Sequence, residues 1–231
     1  TVTLSAGSIT KSKVETLTRT LTASSYQVTN STGTTIISAI LAGTSSSLTK
    51  SGAGDLTLSA YNTYGGGTTI TGGTISISHE FNLGSIPTNT VVDHILLDGG
   101  SLQFTGTGLN AKRGITLGSN GGTFVINPSV SIAYAGVIAG TGGLTKSGSG
   151  TFTADGMNSY QGGTTISEGL FKLGHADALG SSVSSVSVLS GASLDLNGKS
   201  ITNLNPLILN GGGISGGGAL TNSSANEAFY A

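Results

Sequence analysis

Residues 48–84 read LTKSGAGDLTLSAYNTYGGGTTITGGTISISHEFNLG, and residues 144–180 read LTKSGSGTFTADGMNSYQGGTTISEGLFKLGHADALG, at a constant offset of 96. Leu48 and Lys50 match Leu144 and Lys146, Gly52 and Gly54 match Gly148 and Gly150, and Asn62 and Tyr64 match Asn158 and Tyr160. The run Gly66, Gly67, Thr68, Thr69, Ile70 matches Gly162, Gly163, Thr164, Thr165, Ile166, and Leu83-Gly84 matches Leu179-Gly180. A chain built from such copies grows by stacking units, so it is read as one elongated array over residues 1–231.

Within each copy apolar residues alternate with small polar ones, as at Leu56 and Leu58, Ile75 and Ile77, and Phe171 and Leu173. Period two predicts strands, here of about four to six residues. Glycine pairs and Gly-x-Gly at Gly52–Gly54, Gly65–Gly67 and Gly72-Gly73 mark corners. A sandwich does not need the same corners to recur at a fixed long offset, whereas a parallel β-solenoid stacks equivalent positions of successive coils. At roughly 20 to 25 residues per coil the chain makes about ten coils, a rod of ~50 Å at the spacing of paired strands.

Composition agrees with this class. The chain has 39 Gly and 8% charged residues, a poor supply of helix formers. With 36% apolar residues and a formal net charge of −1, disorder driven by charge is excluded. The nine Lys and Arg are scattered, with only Lys112 and Arg113 adjacent, and form no basic stripe, which argues against nucleic acid and anionic membrane as partners. The longest apolar stretch, Ile132–Ala139, is too short to span a bilayer. The chain starts mid-pattern without Met, so a fragment or a processed form of something longer is expected.

Weaker echoes extend the array. Asp98–Phe104 matches Ser190–Leu196 at an offset of 92, and Ile138–Ser147 recurs as Ile214–Ser223, so a partial third copy starts at residue 214. The slip from 96 to 92 places a protruding loop at Ser85–Asp93, which holds Pro87. Residues 1–39 lack the motif and are a degenerate first stretch, a cap, or a place where another chain docks.

The pattern GTGGLTKSGSGTF at Gly140–Phe152, with NSYQGGTTI at Asn158–Ile166 and ALG at Ala178–Gly180, resembles the passenger-associated transport repeat of bacterial autotransporters. The first copy departs from it at Gly43–Ser47, where GTSSS stands in place of the family's Gly-Thr-Gly-Gly. The resemblance covers about a third of the chain, and its Asn-x-Tyr-x-Gly-Gly-Thr-Thr-Ile core is specific. It implies a right-handed parallel β-helix, exported through an outer-membrane translocator and displayed outside a Gram-negative cell. A complete autotransporter ends in a translocating β-barrel, and nothing here resembles one; either it was cut away or the parent uses another export route.

No constellation points to chemistry. The ten carboxylates, among them Glu15, Asp55, Asp155 and Glu227, are scattered; the tightest groupings are Asp93-His94 with Asp98, and His175 with Asp177. His79 and His175 are repeat-equivalent and read as residues tied to their own loops before the Leu-Gly corner, lacking the further ligands of a metal site. Lys50 and Lys146 read as a solvated edge that discourages lateral strand pairing. Tyr61, Tyr64 and Tyr160 suggest a sugar-stacking strip, but the repeat-encoded Tyr64 and Tyr160 read instead as covers over a Gly-Gly corner. Gly191–Ser200 fails as a phosphate loop on spacing. The threonines of Thr16–Thr22 would suit an ice-binding array only if repeated coil after coil, and the pattern occurs once.

The sequence therefore predicts no enzyme, no cofactor and no metal. It predicts a structural or adhesive segment of a secreted bacterial surface protein, mediating attachment to a host or neighbouring-cell surface or self-association. An extracellular filament or sheath subunit and a polysaccharide-degrading β-helix enzyme using Asp93 or Asp98 remain as alternatives.

Overall fold

The computed structural model describes residues 2–4, 20–181, 184–201 and 206–230. Glu15 and the Thr16–Arg19 part of the threonine-rich stretch lie outside the described residues.

The fold is all-β, with parallel strands stacked as a β-solenoid of about nine turns and 3% helix. Each coil presents strands at up to three positions. The first position is a sheet of Val2–Leu4, Ser25–Val28, Ser47–Lys50, Thr68–Ile70, Val91–Leu97, Arg113–Leu117 and Ile138–Gly140. The second is a sheet of nine strands running from Thr34–Ile37 through Asp55–Leu58, Gly122–Ile126 and Leu144–Ser147 to Leu207–Leu209. Strands at the third position form two separate sheets, one ending at Thr63–Tyr64 and the other starting at Ser131–Tyr134. Between them that position holds the 3-10 helix Glu80–Leu83 and residues 105–112, which lie outside any strand.

The period-two pattern sorts residues inward and outward. On the second sheet Leu56, Ile75, Leu102 and Phe124 stack inward in register, while Thr74, Ser101, Thr123, Thr145, Thr165 and Ser187 form an outward hydroxyl row. Phe104, Phe124, Phe152 and Phe171 continue up the core edge to face, with centroids 5.5, 5.3 and 5.2 Å apart. Each such buried ring contributes roughly 1.5–3 kcal/mol of transfer free energy, and edge-to-face contact adds to it. Strand pairing with the coils above and below meanwhile satisfies the backbone that this burial removes from water.

The two copies are not stacked over one another. Registered pairs carry Leu48 through Thr68, Ile95 and Ile115 to Ile138 in four coils along the first sheet. Leu144 then opens the next strand, on the second sheet. The second copy is thus wound four coils and one face further on. The weaker echoes show the same turn: Ser101–Phe104 lies on the second sheet and its echo Ala192–Asp195 at the third position. Successive coils stack in register as expected, but the two copies do not lie over each other; each instead pairs with its own neighbouring coils, Leu48 on Thr68 and Lys50 on Ile70, just as Leu144 sits on Thr164 and Lys146 on Ile166. The physical reason is that the motif needs only its immediate neighbouring coils, so any face of the solenoid can host it.

Candidate functional site

The repeat residues converge on one local device, built identically in both copies. Asn62 is buried and uses both ends of its amide: Oδ1 accepts from the Leu41 N–H at 2.8 Å in the coil before, and Nδ2 donates to the Asn82 carbonyl at 2.5 Å in the coil after. Asn158 repeats this with the Ile138 N–H at 2.9 Å and the Ala178 carbonyl at 2.8 Å. One amide thereby ties three consecutive coils. An amide fits because it alone among uncharged side chains offers a donor and an acceptor side by side.

Tyr64 and Tyr160 are fully buried, and their hydroxyls pair with Thr68 Oγ1 at 2.9 Å and Thr164 Oγ1 at 2.5 Å. Burial raises both phenols, with the threonine hydrogen bond opposing it. The rings lie against the Leu-Gly corner one coil on. Gly84 and Gly180 both have φ of 79°, and a Cβ on them would come within 2.9 and 2.8 Å of the Tyr64 and Tyr160 rings. Only glycine combines that backbone with that contact. The Gly-Gly corner has its own tie to the preceding coil, Gly66 N–H to the Ser46 carbonyl at 2.8 Å and Gly162 N–H to the Gly142 carbonyl at 3.0 Å. It leads into Thr68–Ile70 and Thr164–Ile166, whose central Thr69 and Thr165 pair outward with Thr49 and Thr145.

Lys50 and Lys146 correct the solvated-edge expectation, since both side chains are fully buried. Lys50 Nζ donates to the carbonyls of Ser51 at 2.8 Å, Gly52 at 2.7 Å and Gly72 at 3.4 Å. Lys146 Nζ donates to Ser147 at 3.3 Å, to Gly148, and to Glu168 at 2.9 Å. The ammonium caps carbonyls that the Gly52–Gly54 and Gly148–Gly150 corners turn inward. Burial holds Lys50 below the usual lysine range and pulls Lys146 down to about 8, each opposed by one carboxylate, Asp55 or Glu168. The alternation Leu-Thr-Lys places the lysine on the inward side, a signal outweighed in the sequence reading by its charge.

The histidines sit where their loops require. His79 Nδ1 accepts from the Phe81 N–H at 3.3 Å, and His175 Nδ1 accepts from the Asp177 N–H at 3.0 Å. Among the described residues no group of three or more His, Asp or Glu is arranged to hold a metal ion. The Asp93, His94, Asp98 grouping is dispersed. Asp93 is exposed, His94 turns inward to Arg113 at 3.3 Å, and Asp98 Oδ1 accepts from the backbone and side chain of Asn120 at 2.8 and 3.0 Å. Burial, reinforced by Arg113, lowers His94 to about 4. Arg113 is not singled out in the sequence, although it alternates with Ile115 and Leu117. It is fully buried and donates to the Leu83 carbonyl at 2.9 Å and the Gly84 carbonyl at 2.6 Å, securing the first copy's closing corner from one coil beyond.

Residues 48–77 and 144–171 match the passenger-associated-transport repeat family. The chain carries this repeat twice. Leu83-Gly84 and Leu179-Gly180 lie beyond the matched stretches and close the same lock. The chain is also similar to the adhesin BmaC autotransporter of Brucella suis, 36% identical over 181 residues that make up 74% of this chain and 5% of that protein. It therefore spans a small part of that relative's length. No solved structure matches the chain. No helix among the described residues is long and apolar enough to cross a membrane.

Proposed function

We propose that this chain is a structural and adhesive segment of a secreted bacterial surface protein of autotransporter type, held outside a Gram-negative cell and mediating attachment or self-association. The observation that carries the reading is the similarity to an adhesin across 74% of the chain. About nine coils at ~4.8 Å make a spacer of roughly 45 Å. Its exterior is rich in hydroxyls and nearly neutral, which suits extended contact better than concentrated chemistry. The reading treats residues 1–231 as part of one continuous solenoid, with the two repeats as its internal fasteners.

The lock also suits export through an outer-membrane translocator. A chain that emerges unfolded can complete each repeat from coils close in sequence, because every lock partner lies within about one coil. Such nearest-neighbour stabilisation lets a solenoid form progressively along its length. Deleting residues 20–230 from the surface-displayed parent should abolish attachment or cell–cell aggregation while display of the remainder persists. Undiminished attachment would count against the adhesive reading.

A further inference from the structure

The lock residues are shared by the two copies, but a ring cluster beside them is not. Tyr61 is 60% exposed and lies 4.9 Å from His79 and 5.7 Å from Phe81, centroid to centroid. His79 and Phe81 are themselves stacked at 5.1 Å and 14°. In the second copy these positions are Met157, His175 and Asp177. There the histidine keeps its backbone hydrogen bond and faces a carboxylate 3.6 Å away in place of a ring. The fold therefore does not need Tyr61 or Phe81 to complete the repeat.

The rings border an open cleft of about 420 Å³, lined by Tyr61, Asn62, Thr63, Phe81, Ser85 and Ile86. That size lies in the range of small-ligand sites, about 300–1,000 Å³. No charged side chain lines it. Tyr61, Thr63 and Ser85 bring hydroxyls to the cleft beside the apolar Phe81 and Ile86.

We propose that this cleft binds an uncharged hexose unit of a glycan, stacked on Tyr61 and Phe81 and hydrogen-bonded at its rim. A pyranose has a face of C–H groups bounded by hydroxyls, which matches ring faces bounded by hydroxyls. The absence of charge fits a neutral ligand. Area argues against a protein partner held here alone: Tyr61 is 60% exposed and His79 and Phe81 are partly buried, so the rings offer only a fraction of roughly 150–250 Å² each, short of the ~600 Å² per partner of a stable protein interface. The proposal names a partner class for the adhesive reading and rests on it.

The test is saturation-transfer NMR on the purified chain with lactose, cellobiose, maltose and diacetylchitobiose at millimolar concentration. Transfer to the C–H protons of at least one disaccharide is expected. Tyr61→Met with Phe81→Asp gives the first copy the residues that the second copy carries, so it should fold. It should weaken that binding about tenfold or more. Tyr61→Ser should weaken it as well, and Met157→Ala should leave it unchanged. No transfer to any of the four sugars, or transfer undiminished in the double variant, overturns the proposal. A chain that tethers cells yet takes up none of the sugars overturns this site while leaving the adhesive reading standing.

Discussion

Asn158→Ala removes the amide that spans three coils, and the structure sets the size of the effect. Two hydrogen bonds are lost, from Ile138 N–H at 2.9 Å and to the Ala178 carbonyl at 2.8 Å, and both backbone groups are left buried. A buried donor or acceptor without a partner costs about 1–3 kcal/mol, so the pair costs roughly 2–6 kcal/mol. The loss should be local, because a solenoid couples chiefly to its neighbours and need not unfold in one step. The assay is amide hydrogen exchange together with urea unfolding followed by circular dichroism. Ile138 should lose protection by two or more orders of magnitude, while amides of the first copy, such as Leu41, keep theirs. A destabilisation below about 0.5 kcal/mol, the size of an ordinary surface substitution, with Ile138 protection intact, would refute the lock.

Other consequences can be checked in the same assays. Gly84→Ala should cost well over 1 kcal/mol, because φ of 79° is unfavourable for alanine and its Cβ would meet Tyr64 O at 2.3 Å. Gly191→Ala shares a positive φ of 85° with nothing within 4 Å, so it should show the backbone cost alone. Lys146 titrates near 8 when folded and near 10.5 when unfolded, so the unfolded chain binds more protons between those values and stability should rise with pH across that window. In Lys146→Met that rise should shrink, as pH-dependent thermal unfolding would show. Phe152→Ala opens the aromatic stack between Phe124 and Phe171 and should cost about 3–5 kcal/mol by chemical denaturation.

Strands, corners and stacking were legible because alternation and glycine placement act locally, as at Leu56-Thr57-Leu58 beside Gly52 and Gly54. The turn of the second copy by one face was not. An offset of 96 divides evenly into four coils of 24, and although the slip to 92 marks the loop at Ser85–Asp93, the sequence does not show how short the coils on either side of it are. The Thr68–Ile95 coil is lengthened by the loop after Gly84, whereas Leu48–Thr68 and Ile95–Ile115 are short. The buried lysines were misjudged because charge was weighed above alternation, although Leu-Thr-Lys points the third residue inward. Arg113 alternates with Ile115 and Leu117 in the same way, but nothing local marks its acceptors, which are backbone carbonyls some thirty residues earlier. The ring cluster was partly visible: the two copies differ at Tyr61/Met157 and Phe81/Asp177, and such differences mark positions that the repeat leaves free.

The arrangement of the copies can be tested directly, since the chain has no cysteine of its own. Thr123 and Thr145 are registered neighbours on the second sheet, at the ~4.8 Å of adjacent strands, within the range of roughly 4.4–6.8 Å that a disulfide bridges. Stacking of the second copy squarely over the first would instead set Thr145 beside Thr116, one coil on along the first sheet. Paired cysteines at 123 and 145 should oxidise to an intramolecular disulfide in the folded chain, and cysteines at 116 and 145 should not. Efficient closure of the 116–145 pair with none at 123–145 would contradict the one-face turn, and with it the account of the repeat as a fastener free to sit on any face.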